Sequence, residues 1–262
     1  MPSYKEIISF WRRKTTCKAE DVSQEFKDFH ILLAYHSEKL DNDEIDYINI
    51  QNVFEDNRLQ DYTGSLKTLY NQYNHKLCYS FLKEKIEQKV PITLELIKRI
   101  HFIMTVDIFN QNEFFFKYKI FNTISEQNCN AKIEENFLLE KSTERALKQL
   151  LREVENYEGD NWLEIASYFH ARFRTISPFE TNSGRVNRVL LNYYLLIHDF
   201  PPLIIYKEDK NMYLSCLQRF NRYQNLKPLI RFFVYETEKT WAAECKKEKT
   251  EHRKKEGAFF SF

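Results

Sequence analysis

Residues 168–194 read YFHARFRTISPFETNSGRVNRVLLNYY, and this stretch decides the fold. Apolar residues recur every three or four positions on both sides of SPFETNSG, a spacing that predicts two amphipathic helices joined by a short loop. The first helix is predicted over 161–176 and the second over about 185–197. The second ends before the paired prolines of DFPPL, which cannot continue a helix. The interruption places Gly184 beside two arginines.

The loop and the start of the second helix have the residues of an anion site. Phe179 is apolar in a polar loop, which predicts that it anchors the loop in the core. The first N–H groups of a helix are unpaired and carry the positive end of its dipole, so they attract phosphate. The alternative is a capped helix with two solvated arginines. The residues involved are the N-cap candidates Thr181, Asn182 and Ser183, then Gly184, whose small size admits a ligand, and Arg185 and Arg188 on one face.

Composition narrows the class of protein. The 262 residues have a net charge of +1, from 39 basic and 38 acidic residues, which gives no reason to expect nucleic acid or a membrane as partner. No apolar run is long enough to span a bilayer, and charges interrupt the N-terminal apolar stretch, unlike a secretory signal. Five cysteines without a CxxC pair favour reduced thiols. We therefore expect a cytoplasmic protein.

The rest of the chain reads as mostly helical. Helices are predicted over 22–40, over 92–105 with Thr93 as a possible N-cap, and over 137–157. The segment 113–124, EFFFKYKIFNTI, is aromatic and β-branched, so it predicts a strand or short hairpin.

The segment SPFETNSGRVNR at 177–188 resembles the signature HPFx(D/E)GNGRxxR of the Fic (Fido) domain family. Most members of that family transfer AMP from ATP to a target hydroxyl. The likeness covers roughly residues 92–236 and implies an all-α, Fic-type helical bundle with a small β-hairpin flap. The flap would hold a target peptide by strand addition, and a hairpin that only covers the core is the alternative. The matching positions are Pro178, Phe179, Gly184, Arg185 and Arg188.

Several letters of the motif differ from the family. Ser177 stands at the position of the family's catalytic histidine, and Thr181 at the position of its metal-binding carboxylate, with Glu180 one residue early. Asn182 and Ser183 replace the Gly-Asn pair of the anion hole. A serine hydroxyl cannot act as a base near neutral pH, whereas phosphoryl-type transfer depends mainly on positioning and charge.

The resemblance implies a role for each matched position. Arg185 and Arg188 would hold the β- and γ-phosphates of ATP, and residues 181–184 would line the nucleotide site. Ser177 would orient the target hydroxyl or a water, and Glu180 is a weak candidate ligand for Mg²⁺ or Mn²⁺. His170 lies about 10 Å down the helix from position 177, which predicts a hydrogen-bonding role in the core.

The segment SEKLDN at 37–42 resembles the inhibitory helix motif (S/T)xxx(E)(G/N) of many Fic proteins. Ser37, Asp41 and Asn42 take its positions, with an aspartate one methylene shorter than the usual glutamate. The resemblance implies that Asp41 pairs with Arg188 and competes with the γ-phosphate. The alternative is an ordinary exposed acidic end of a helix.

These observations predict N-terminal helices with an inhibitory segment over 1–91, a Fic-like core over 92–236, and a charged C-terminal helix and tail over 237–262. The expected function is an ATP-using adenylyltransferase that modifies a protein target or itself, with a homodimer as a candidate assembly. One alternative is a nucleotide-binding pseudoenzyme that acts through protein interaction. Another is a Fic variant that transfers a different phosphate-linked group.

Overall fold

The fold is built from helices throughout the described part of the chain. The computed structural model describes residues 1–16, 19–41, 45–55, 66–105 and 139–259. A single 3₁₀ turn, Lys207–Asp209, lies in the described residues between the eighth and ninth helices. The helices are α1 Tyr4–Thr16, α2 Ala19–Lys39, α3 Tyr47–Glu55, α4 Leu66–Glu87, α5 Leu94–Thr105, α6 Lys141–Glu155, α7 Trp162–Ile176, α8 Ser183–Ile197, α9 Lys210–Tyr223 and α10 Lys227–Phe259.

The centre of the fold is the helix pair α7 and α8, as the opening stretch of sequence predicts. Phe169 and Phe173 on α7 and Leu190 on α8 are all fully buried. Thirteen of the fifteen residues of α8 are buried, because α2, α4, α5 and α7 all pack against it. A helix that is covered on every side belongs to the core and is held in one position.

The ends of the core helices follow from local chemistry. The Thr93 hydroxyl accepts a hydrogen bond from the Leu96 N–H at 3.1 Å, so the predicted N-cap of α5 is confirmed. Helix α8 stops at Ile197, ahead of the two prolines. The Asn192 side chain then fixes the departing segment, accepting from the Leu203 N–H at 2.7 Å and donating to the Leu203 carbonyl at 3.0 Å.

Among the N-terminal helices, α2 packs across the start of α8. Helix α2 contacts α1, α3, α4 and α8, and also the 3₁₀ turn. The Lys207 N–H donates to His36 Nδ1 at 3.2 Å, which ties the C-terminal end of α2 to that turn. Residues 37–41 of the predicted inhibitory segment therefore lie against the core.

The predicted fold class is wrong in one element, the small β-hairpin flap. Every regular element of the described residues is helical, so the fold is all-helical there. The segment that predicted the hairpin, 113–124, lies outside the described residues. The physical reason for the correction is that α4, α5, α7 and α8 bury their apolar faces against one another, so helix packing closes the core without a strand. No helix in the described ranges has the length and apolar character needed to cross a membrane.

Candidate functional site

The loop between α7 and α8 is fastened to α5. Phe179 is buried and stacks on the His101 ring, with 3.7 Å between ring centres and 4° between planes. The His101 Nε2 lies 3.2 Å from the Thr181 carbonyl oxygen. Burial lowers the pKa of His101 to about 4, so the ring is neutral and Nε2–H is the donor. The prediction that Phe179 anchors the loop is confirmed.

The first turn of α8 has no side-chain cap. Asn182 occupies the N-cap position with a left-handed backbone (φ 59°), but its side chain accepts no capping hydrogen bond. Instead its amide donates to the Met104 carbonyl at 3.1 Å. One of the three N-cap candidates, Asn182, therefore takes the N-cap position, but its side chain does not cap the helix because a contact with α5 engages the amide. The first bond of α8 runs from the Val186 N–H to the Asn182 carbonyl, so the N–H groups of 183–185 precede the helical ladder.

Ser183 and Gly184 complete this uncapped turn. The Ser183 hydroxyl is buried and has no hydrogen-bond partner among the described residues. Gly184 has an ordinary helical backbone, so its role is to leave space. A Cβ atom at this position would lie 3.3 Å from Nη1 of Arg188 and 3.7 Å from Nη1 of Arg174. Two guanidinium groups therefore lie over the start of α8.

Arg188 contacts two of the three predicted inhibitory residues. Its Nε donates to the Ser37 hydroxyl at 2.8 Å, and its Nη2 donates to the Ser37 carbonyl at 2.8 Å and to Asp41 Oδ2 at 2.7 Å. The shorter aspartate thus reaches the arginine. The third predicted residue, Asn42, lies outside the described residues.

Arg185 pairs with a carboxylate that the motif did not predict. Its Nη2 lies 2.7 Å from Glu38 Oε1, and its Nε lies 3.4 Å from Asp41 Oδ2. Glu38 is fully buried and also accepts from the Asn71 amide at 2.8 Å. The spacing held a signal for this pair, because Glu38 at the end of α2 and Asp41 just beyond it are three residues apart, as are Arg185 and Arg188 on α8. Two such faces can form two ion pairs side by side.

Burial and charge act differently on the two carboxylates. Burial raises the pKa of Glu38, although the Arg185 guanidinium and the Asn71 amide oppose this shift. Burial also opposes ionisation of Asp41, but the guanidinium groups of Arg188 and Arg185 outweigh it and lower the pKa of Asp41. Asp41 is therefore ionised at neutral pH and holds both arginines.

Ser177 and Thr181, which stand at the motif's histidine and metal-binding positions, both lie on the exposed part of the loop. Ser177 is exposed and closes α7 as its C-cap in a left-handed conformation (φ 45°). Glu180 is exposed as well, and no three His, Cys, Asp or Glu side chains of the described ranges converge as a metal-binding group. His170 is fully buried, with Nε2 at 2.7 Å from the Tyr213 hydroxyl, and it has the core role predicted for it.

Curated relatives match about a third of the chain. A protein adenylyltransferase Fic from Nematostella vectensis is 36% identical over 78 residues, which are 30% of this chain and 18% of that protein. A protein of the same name from Aedes aegypti is 33% identical over 78 residues, 30% of this chain and 15% of that one. The chain thus spans less than a fifth of the length of these relatives. No protein-family model matches the chain.

Solved structures match over nearly the whole chain. A Fic domain containing signaling protein from Bacteroides thetaiotaomicron superposes with a TM-score of 0.73 at 18% identity, covering 93% of this chain and 95% of that one. Fic-1 from C. elegans superposes with a TM-score of 0.69 at 16% identity, covering 93% of this chain and 68% of that one. These likenesses establish the fold.

Proposed function

Because this chain is a Fic-family protein by its fold and its motif segment, we propose that it transfers AMP from ATP to a protein hydroxyl. The acceptor is a target protein or the chain itself. In this reaction the hydroxyl oxygen bonds to the α-phosphorus, the bond to the α–β bridging oxygen breaks, pyrophosphate leaves, and the hydroxyl proton passes to solvent water. The relatives named protein adenylyltransferase support this class of reaction at the level of the family.

One observation carries the proposal: two buried arginines converge on an uncapped helix N-terminus. Arg185 and Arg188 would bind β- and γ-phosphate oxygens, because a guanidinium fork that binds a carboxylate also binds phosphate. The N–H groups of 183–185, which precede the hydrogen-bonded ladder of α8, and the Ser183 hydroxyl would line the anion hole. A helix fixed inside the core presents these donors in set positions, which is how positioning lowers a barrier.

Ser177 and Glu180 are the loop residues that would contact the target hydroxyl and the metal ion. Ser177 would orient the target hydroxyl or a water and would not accept its proton, because the pKa of a serine hydroxyl is far too high. Glu180 is a single exposed carboxylate. Mg²⁺ accepts one carboxylate when phosphates and waters complete its shell, so this residue fits the role only beside a bound nucleotide. Bound Mg²⁺ would offset negative charge on the phosphates.

We also propose that the arrangement of α2 is autoinhibitory. Glu38 and Asp41 occupy the guanidinium forks that phosphates would use, and one fork cannot serve both. ATP binding then requires the end of α2 to withdraw from α8. Asn42, part of the same motif, is proposed to act with them.

The alternative is a pseudoenzyme that binds nucleotide and acts through protein interaction. The exposed Ser177, with His170 locked in the core, favours it, because neither residue offers a base at the loop. A further alternative is a transferase for another phosphate-linked group, since Ser177 and Thr181 replace the family's histidine and carboxylate.

The test is to incubate the wild type and Asp41→Gly with ATP and Mg²⁺ or Mn²⁺, and to measure the intact mass. A mass gain equal to AMP, larger in Asp41→Gly, supports the transferase. ATP binding by calorimetry without any adduct supports the pseudoenzyme. Ser177→Ala should keep most of the residual transfer, whereas Arg185→Ala should lose it.

A further inference from the structure

A cationic cavity adjoins the motif arginine Arg188. Its walls include Arg174 from the end of α7, Gly184 and Arg188 from the start of α8, and Lys210 from the start of α9. Asp41 also lines it and is the one carboxylate on the walls that the described residues provide. Three cations therefore surround one acidic side chain.

Two arginine side chains of this cavity both reach the space beside Gly184. Nη1 of Arg188 and Nη1 of Arg174 both lie within 4 Å of the place where a Cβ of Gly184 would be. Like charges at such distances repel, so the arrangement favours an anion between them. Asp41 contributes one negative charge against three positive charges. An anion with more than one negative charge would balance these cations better than Asp41 does.

Helix termini reinforce the preference for an anion. Gly184 is the second residue of α8 and Lys210 the first of α9, so the first turns of two helices line the cavity. Helix N-termini carry partial positive charge, and a lysine there is placed against its own helix dipole. An anion shared by both termini would offset this unfavourable placement.

We propose that Arg174 and Lys210, with Arg188, form a subsite for the terminal phosphate of a nucleoside triphosphate, and that Asp41 takes the place of that phosphate in this structure. The subsite rests on the proposed nucleotide-binding function and adds two residues outside the family motif. It makes the site selective for a triphosphate over a diphosphate. Phe179 anchors the loop, whereas Arg174 and Lys210 would distinguish phosphate chains of different length.

The experiment measures binding in the Asp41→Gly protein, where the competing carboxylate is removed. Calorimetry with ATP, ADP and inorganic tripolyphosphate is compared for Arg174→Gln, Lys210→Gln, Arg174→Lys and the control Arg222→Gln. Arg222 is an exposed cation on the same helix as Lys210, about 18 Å further along its axis. Arg174 is itself exposed, and its side chain is not part of the core, so these variants should fold.

We expect Arg174→Gln and Lys210→Gln each to weaken ATP and tripolyphosphate about three- to tenfold. ADP should change less than twofold, Arg174→Lys should keep most of the affinity, and Arg222→Gln should have no effect. Equal losses for ATP and ADP, or no loss, would overturn the subsite while leaving nucleotide binding intact. A further outcome is that tripolyphosphate binding depends on Arg174 and Lys210 while ATP binds no more tightly than tripolyphosphate. That result would uphold the subsite and overturn the proposed adenylyltransferase. Binding of neither compound overturns both.

Discussion

Substituting Glu38 by glutamine separates an inhibitory contact from a merely structural one. Glu38 is fully buried, pairs with Arg185 at 2.7 Å and accepts from Asn71 at 2.8 Å. Glutamine keeps the shape of the side chain and an oxygen for Asn71, but it removes the charge that holds Arg185. We expect the protein to become less stable and to bind ATP more tightly.

The size of both effects follows from the same ion pair. Removing one partner of a buried pair costs about 3–5 kcal/mol. The cost here is smaller, about 2 kcal/mol, because Asp41 still lies 3.4 Å from Arg185 and because burial already raises the pKa of Glu38. For a chain of this size that is a fall of roughly 4–8 °C in melting temperature. If ATP must break this ion pair to bind, Glu38→Gln should bind ATP up to about 25-fold more tightly than the wild type, which corresponds to the same energy of about 2 kcal/mol.

The assay is thermal unfolding together with calorimetric titration of ATP, for the wild type, Glu38→Gln and Glu236→Gln. Glu236 is the matched control, since it is also a fully buried carboxyl group, but it lies on α10 and accepts from the Tyr206 N–H at 3.2 Å. Its substitution should leave ATP affinity unchanged. Lower stability of Glu38→Gln with unaltered ATP affinity would refute the inhibitory role and leave Glu38 as a structural residue.

Two further sets of substitutions probe the same network, and a pH profile tests the buried carboxyl group of the control residue Glu236. Asp41→Gly should tighten ATP binding severalfold, about 1 kcal/mol, and Arg188→Ala should abolish that gain in calorimetry, because both act through one ion pair; an additive result would contradict it. Arg185→Ala should destabilise the fold by about 3 kcal/mol in urea unfolding by leaving Glu38 unpaired, and adding Glu38→Gln should recover part of the loss. Burial raises the pKa of Glu236 to about 8, so the folded chain holds a proton that the unfolded chain releases above its usual value of 4.5. The free energy of unfolding should therefore fall between about pH 4.5 and 8, by about 1 kcal/mol per pH unit relative to Glu236→Gln, and parallel pH profiles would disprove this.

Local patterns in the sequence were sufficient for the helices and the loop anchor. The apolar period of three to four residues predicted α7 over 161–176 against an observed Trp162–Ile176, and the paired prolines predicted where α8 ends. Phe179, an apolar residue in a polar loop, was expected in the core and is there. These features depend on neighbours a few residues away, which is why the pattern carries them.

Contacts between distant segments were beyond the same patterns. Asn182 is a good N-cap residue by type, yet its amide donates to Met104, 78 residues earlier in the chain. The sequence contains 38 acidic residues, and Glu38 is identified as the partner of Arg185 only when the packing of α2 against α8 is known. The hairpin expected at 113–124 came from β-propensity, which reports fit to a pleated surface and depends strongly on partners. Long-range placement decides each of these.

The last prediction concerns how the inhibitory contact and the missing base combine. Ser177 has the left-handed backbone in which histidine is enriched among non-glycine residues, so Ser177→His, with Thr181→Asp, fits the loop without new strain. A base with a pKa near 6.5 should raise AMP transfer by about 10²–10⁴-fold, whereas Asp41→Gly acts on nucleotide access. Ser177 lies exposed at the end of α7 and shares no ion pair with Asp41 in the described part of the chain. Sites without shared partners contribute additively in free energy, so the gains should multiply when AMP incorporation is timed for the loop variant, Asp41→Gly and their combination. A combined rate well below the product would show that loop and inhibitory helix act on one step, and that α2 does more than cover the arginines.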